Sequence, residues 1–265
     1  MDERTGKDVL RQVLNLAGAI GQVAIAFTSD VGAVSDGIRN PIVPAGYAFA
    51  IWGVIFALLG VYAVVQALPG QSSNYLYRQI GWWTAAAMIG NTLWTVLFTD
   101  RSFVLAQLVI FLIALCAILA LVTWADVVAV RPANAIACWI VGPALGLLAG
   151  WVTAASFVGV ATTLVAHGWN GAGIGAALGG SALLLCAGGV AAWTMARSSA
   201  GPATGWVACG VAVLWALVAV VVAQADRTVL VVATAVVIAL LVVALLALLV
   251  WESRRGTPAP GALGA

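Results

Sequence analysis

From Thr228 to Trp251 the chain reads TVLVVATAVVIALLVVALLALLVW, with no charge, no amide and no turn-forming residue. A helix rises about 1.5 Å per residue, so this run matches the roughly 30 Å hydrocarbon core of a bilayer. A stretch so uniformly apolar cannot turn one stripe inward and a polar face to water. Further apolar runs precede it, at about 10–28, 45–68, 79–98, 103–125, 135–166, 172–195 and 204–225. Continuous runs of roughly 20 residues indicate helices, not the alternating segments of a barrel. The expected fold is an all-α integral membrane protein of about eight transmembrane helices. Composition agrees, since 64% of the 265 residues are hydrophobic, 8% are charged and the mean hydropathy is +1.11.

The run 135–166 exceeds a straight crossing and is expected to protrude, tilt or bend near Pro143. Most connections are short. The exception is 29–44, SDVGAVSDGIRNPIVP, a polar Gly- and Pro-containing loop of the kind that carries function in compact proteins. Basic residues orient the chain. With the N-terminus inside, Arg4, Lys7, Arg11, Arg78, Arg131, Arg197, Arg254 and Arg255 lie on the inner side, against Arg39, Arg101 and Arg227 outside. Both termini are therefore expected in the cytoplasm of a multi-pass protein, in a bacterial plasma membrane, with the 29–44 loop outside. The tail 252–265 reads as disordered. The last three runs, poor in polar residues, read as a scaffold or an interaction module.

Several function classes are set aside by residue content. No basic stripe offers itself to nucleic acid. Cys116, Cys138, Cys186 and Cys209 lie in separate runs without a C-x-x-C pair, so neither a disulfide framework nor a metal site is expected. The sole lysine, Lys7, lies outside every run and cannot form a Schiff base within the membrane. No Asp, Glu, Lys or Arg stands mid-run, where ion-coupled pumps usually need one. His167, beside Trp169 at a helix end, reads as a wetted interfacial residue in preference to an axial haem ligand. The glycines of GAGIGAALGG at 171–180 follow no strand, so they are not a nucleotide loop. With no Ser–His–acid or paired-carboxylate arrangement, an enzyme is not expected.

The candidate site begins in VPAGYAFAIWGVIF at 43–56. Trp52 falls roughly 10 Å inside the outer end of its helix, and Asn91 and Trp94 about 11 and 6 Å below the same surface. Asn91, Trp94 and Phe98 share one helical face through their spacing of three and four. A buried amide needs a partner, so Asn91 either meets a ligand or joins two helices. Trp52 and Trp94 fit either an interfacial belt or a pocket. Trp82, Trp83, Trp124, Trp193, Trp206 and Trp251 are expected in the belt. In GPALGLLAGWVTAASFVG, Gly142, Gly146 and Gly150 form a stripe that lets another helix approach closely. Trp151 stands too deep for a belt. Thr153 and Ser156 either bond carbonyls of their own helix or furnish polar contacts in an apolar cavity.

These residues carry a resemblance to the tryptophan-rich sensory protein / translocator protein (TspO/MBR) family. Its second helix opens with Pro-Pro-Gly-aromatic-x-Phe, then a Trp and a Tyr. Here the segment is PAGYAFAIWGVIF, with Pro44, Gly46, Tyr47, Phe49 and Trp52. Ala45 replaces the second Pro, Tyr47 replaces a Trp, Phe56 stands where a Tyr is common, and the gap to Trp52 is one residue shorter. The family's Asn-x-x-Trp-x-x-x-Phe pattern appears in GNTLWTVLF as Asn91, Trp94 and Phe98. Its Trp-Val-Ser-Phe-Ala-Thr segment is approximated by WVTAAS, with Trp151, Thr153 and Ser156 matching, Ala154 in place of the aromatic, and Gly159 replacing a later Asn.

The resemblance covers about residues 10–166. It implies that 1–166 form a five-helix ligand-binding bundle, to which 167–251 add three transmembrane helices. It further implies a pocket under the 29–44 loop for a small hydrophobic ligand such as a tetrapyrrole (haem or porphyrin), with no required cofactor. Tyr47, Phe49, Trp52, Trp94 and Trp151 would stack on that ligand, and Asn91, Thr153 and Ser156 would orient it. Roles in sensing or regulation, in transport of an apolar solute, and in docking a second copy or a partner membrane protein all fit.

Overall fold

The computed structural model describes residues 5–131 and 133–255. Arg4 and the segment 256–265, most of the expected tail, lie outside the described residues. In chain order the helices are α1 (Gly6–Thr28), a short α2 (Val31–Asp36), α3 (Ile51–Ala67), α4 (Tyr75–Thr99), α5 (Phe103–Val130), α6 (Gly142–Ala166), α7 (Gly173–Ser198), α8 (Ala203–Gln224) and α9 (Val229–Arg255). Residues 252–255, expected in the tail, instead complete α9. There is no strand among the described residues.

Among the described residues seven helices are long and apolar enough to cross a membrane, where the sequence leads one to expect eight. The eighth, α4, is equally long, but its Tyr, Trp, Thr and Asn residues lower its hydropathy. It packs between α1 and α5, and so presents only part of its surface, including Ile89, Leu93 and Val96, to the outside.

Local signals set the ends. Thr5 and Asp8 form a reciprocal capping box on α1, and Asn74 accepts from the Leu76 N–H at the start of α4. The turn between α4 and α5 places Arg101 at φ 62°, the left-handed region that tightens such a connection. The long run near Pro143 is relieved by a π-helical turn, Ala137–Val141, immediately before α6. A proline lacks the N–H that a regular helix would use there, and a widened turn accommodates the loss.

The glycine stripe of α6 is a helix seam. A Cβ on Gly146 would strike the Gly205 carbonyl of α8, and one on Gly150 the Cys209 carbonyl. These two backbones lie too close for any side chain between them, as small-residue stripes permit in membranes. Gly142 and Gly205 also make room for Trp124, whose indole N–H donates to the Ala137 carbonyl at 3.0 Å. Trp124 and Trp206 are thus interior residues, not belt residues, whereas Trp82, Trp83, Trp193 and Trp251 do face outward.

A second seam, between α1, α3 and α4, is polar. Arg78 holds Asp8 with two bonds, Nε to Oδ1 at 2.9 Å and Nη2 to Oδ2 at 2.8 Å. Arg11 is buried and donates to the Ser72 carbonyl at 2.9 Å, lying across Gly81, where a Cβ would collide with its side chain. Gln12 and Gln66 each donate to the other's main-chain carbonyl. Asn15 donates to the Gly81 carbonyl, and Thr84 donates to Asn15 Oδ1 at 2.6 Å. Thr84 has a single proton, so the Tyr62 hydroxyl, 2.8 Å away, is the donor in their contact.

Candidate functional site

A cavity opens at the end of the bundle that carries residues 29–50. Six of the residues singled out from sequence line it: Pro44, Phe49, Trp52, Trp94, Phe98 and Trp151. The rings form two groups. Phe49 and Trp52 both meet Trp151 edge-on, with centroids 6.0 and 6.2 Å apart. Trp94 stacks on Phe98 at 5.0 Å, and Phe98 meets Phe103 at 5.5 Å.

Backbone geometry explains how the shortened gap before Trp52 still aims it correctly. Gly46–Ala50 is a 3-10 turn leading into α3. Phe49 near the end of that turn and Trp52 in the first turn of α3 are three residues apart, a spacing that shares one face in either kind of helix, and both rings meet Trp151. On its other side Trp52 stacks on Phe56 at 5.2 Å and walls a groove between α1 and α3 that includes Val23, Phe27 and Gly53.

The remaining sequence candidates lie elsewhere. Asn91 is buried and its Nδ2 reaches Gln22 Oε1 on α1 at 3.4 Å, so it joins two helices and does not line the cavity. Tyr47 is exposed and rests edge-on against Trp215 of α8 at 5.5 Å. Ser156 donates to the Val152 carbonyl of its own helix at 2.7 Å. Thr153 is buried, Gly46 is exposed in the 3-10 turn, and neither is part of the lining. His167 is exposed at the end of α6, with Nδ1 2.8 Å from the Thr163 carbonyl.

Two features escape the sequence. The first is that the C-terminal helices form a wall: Leu184 and Gly188 of α7, Val213 and Leu217 of α8, and Ile238 of α9 line the cavity. Their small and aliphatic residues read as lipid-facing because nothing in their composition marks a cavity wall. These helices also hold the roof. Gln224 donates to the Val43 carbonyl at 3.0 Å, the Trp215 indole N–H to the Ala48 carbonyl at 2.9 Å, and the Ala45 N–H to the Ala219 carbonyl at 3.0 Å. Asn40 adds a bond to Thr162 of α6 at 2.8 Å. The roof contributes Ser35 and Pro44 to the lining.

The second is Gln107 on α5, an amide in a lining that is otherwise almost wholly apolar. Its Nε2 donates to the Ser156 carbonyl at 3.0 Å, and its Oε1 sits over Gly159, in the place a Cβ there would take. Among the described residues none that lines the cavity is charged. Among the described residues no group of three His, Cys, Asp or Glu is placed to hold a metal. The cavity is narrow, about 70 Å³, against the roughly 300 Å³ at which pockets for drug-sized ligands begin. A larger ligand must part its rings.

A family model described as TSPO-like protein matches residues 12–249, including the three C-terminal helices that the sequence resemblance did not reach. No curated protein and no solved structure matches the chain. With seven membrane-length apolar helices and a family match over most of its length, this all-α integral membrane protein belongs to the TSPO-like family.

Proposed function

We propose that the protein binds a flat, hydrophobic small molecule of tetrapyrrole type in this cavity, in a sensory, regulatory or transport role. The observation that carries the reading is the convergence of Phe49, Trp52, Trp94, Phe98 and Trp151, from three helices and the turn before α3, on one uncharged space. Aromatic faces offer large contact area to a flat ligand and prefer offset or edge contacts, which the existing ring pairs already adopt. The excess of Arg and Lys at the end bearing the chain termini supports a cytoplasmic placement of that end, with the roofed cavity toward the opposite face.

An uncharged porphyrin ester with hydroxyalkyl side chains, such as haematoporphyrin dimethyl ester, suits a lining without charge. Titrated into the detergent-solubilised protein and followed by its own absorption band, it is expected to bind saturably. Trp52→Ala should weaken binding by about tenfold, the effect of removing one aromatic ring from the ligand's surface. A folded Trp52→Ala variant that binds the ester as the parent does would overturn the proposal.

A further inference from the structure

We infer that Gln107 determines the specificity of this cavity, its Oε1 being an open acceptor that selects an uncharged ligand with an N–H or O–H on its edge. The inference rests on the proposed ligand site and names the ligand chemistry that the site would take.

The orientation of the amide is fixed by its neighbours. Nε2 donates to the Ser156 carbonyl at 3.0 Å, and the flipped arrangement would set two acceptor oxygens against each other. Oε1 therefore faces Gly159 and the cavity, where it accepts no hydrogen bond from any described residue. Gly159 is what makes this possible, because any side chain at that position would displace the oxygen.

The other polar side chains in the lining are differently placed. Thr162 donates to the Val158 carbonyl and receives Asn40, and Thr163 donates to the Phe103 carbonyl at 3.4 Å. Ser35 is buried in the roof, on α2. The indole N–H of Trp151, whose ring lines the same cavity, is buried with no partner among the described residues. A wholly apolar ligand would leave an acceptor and a donor buried and unmatched. A carboxylate would enter a space where no described lining residue is a cation to pair it, at a greater cost still.

The test uses two three-ring molecules of nearly the same shape, carbazole with an N–H and fluorene with a CH2 in its place. Binding to the detergent-solubilised full-length protein is read by equilibrium dialysis, with detergent alone as the reference. Carbazole is expected to bind about fivefold or more tightly than fluorene, the yield of one buried hydrogen bond. Gln107→Leu should bring the two within about twofold of each other. Gly159→Ala, which needs only a flexible amide to move, should do the same without removing Gln107. A carboxylated carbazole should bind more weakly than carbazole. Equal affinities in the parent protein, or a preference that survives both variants, would refute the role of Gln107. If carbazole, fluorene and the porphyrin ester all fail to bind, the proposed ligand site falls as well. If the ester binds and only the N–H preference is missing, the inference about Gln107 alone is lost.

Discussion

The α1–α4 seam and the aromatic cavity belong to one bundle, yet the first is crowded with polar side chains and the second almost lacks them. In the seam, Asp8, Arg78, Gln12, Gln66, Asn15, Thr84 and Tyr62 bond to one another or to main-chain carbonyls. Most of these groups are paired and hold the helices together. Gln66 Oε1 and two nitrogens of Arg11 are buried there without a hydrogen-bond partner among the described residues, but neither residue lines the cavity. In the cavity the Gln107 amide oxygen and the Trp151 indole N–H stand open among rings and aliphatic side chains. The contrast teaches that the number of buried polar residues is a poor guide to a binding site in a membrane bundle. What matters is whether unused bonding capacity opens onto a cavity.

Breaking the seam should therefore cost stability before it costs binding. The largest effect is expected from Asp8→Asn. It removes the charge that Arg78 holds with two bonds and that lies 3.9 Å from the buried Arg11 guanidinium. Two nitrogens of Arg11 already lack a hydrogen-bond acceptor among the described residues, so the neighbouring carboxylate is its main electrostatic compensation. Unpairing a buried ion pair typically costs about 3–5 kcal/mol, and the partial exposure of Arg78 moves the expectation to about 3 kcal/mol. Denaturant titration of the solubilised protein measures it, with affinity for the porphyrin ester unchanged wherever the protein remains folded.

Asn91→Ala sharpens the same comparison at smaller magnitude. Asn91 stands on the α4 face that also carries Trp94 and Phe98, two cavity residues, but its amide reaches Gln22. The variant should lose about 1 kcal/mol of stability, the usual net worth of a buried hydrogen bond, and should keep its ligand affinity. Weakened binding at unchanged stability would move Asn91 from the seam to the site.

This residue also shows what sequence can and cannot disclose. The spacing of Asn91, Trp94 and Phe98 puts them on one face, and the structure keeps Trp94 and Phe98 together at the cavity. Periodicity fixes the angle around a helix, but it does not say which neighbour covers each part of the face. Asn91, one turn further from the roof, meets α1 instead. The helices themselves are legible because lipid demands long apolar runs, and Gly142, Gly146 and Gly150 are legible because close helix packing demands small residues. Gln107 escapes a reading of the sequence because it lies near the end of a run, where an amide attracts no notice, and because Gly159 alone looks like a missing polar residue. The structure shows the two as one arrangement, in which the glycine on α6 leaves room for an amide supplied by α5. The wall formed by α7, α8 and α9 leaves no mark at all, since Leu, Val and Ala serve lipid and cavity equally well.

The smallest effect is expected at Ser156, and its smallness is informative. The hydroxyl donates to the Val152 carbonyl one turn back in α6 at 2.7 Å, with a weaker approach to the Ile110 carbonyl at 3.4 Å. A carbonyl already engaged in the helix ladder gains little from a second donor. Ser156→Ala removes that donor while leaving the Ser156 carbonyl, the acceptor for Gln107, in place. Stability should change by less than about 0.5 kcal/mol, and the preference for carbazole over fluorene should persist, because it depends on the main chain of residue 156 and not on its side chain. A vanished preference at unchanged stability would show that the hydroxyl acts on the ligand or on the Gln107 amide, and would join α6 to the polar chemistry of the site.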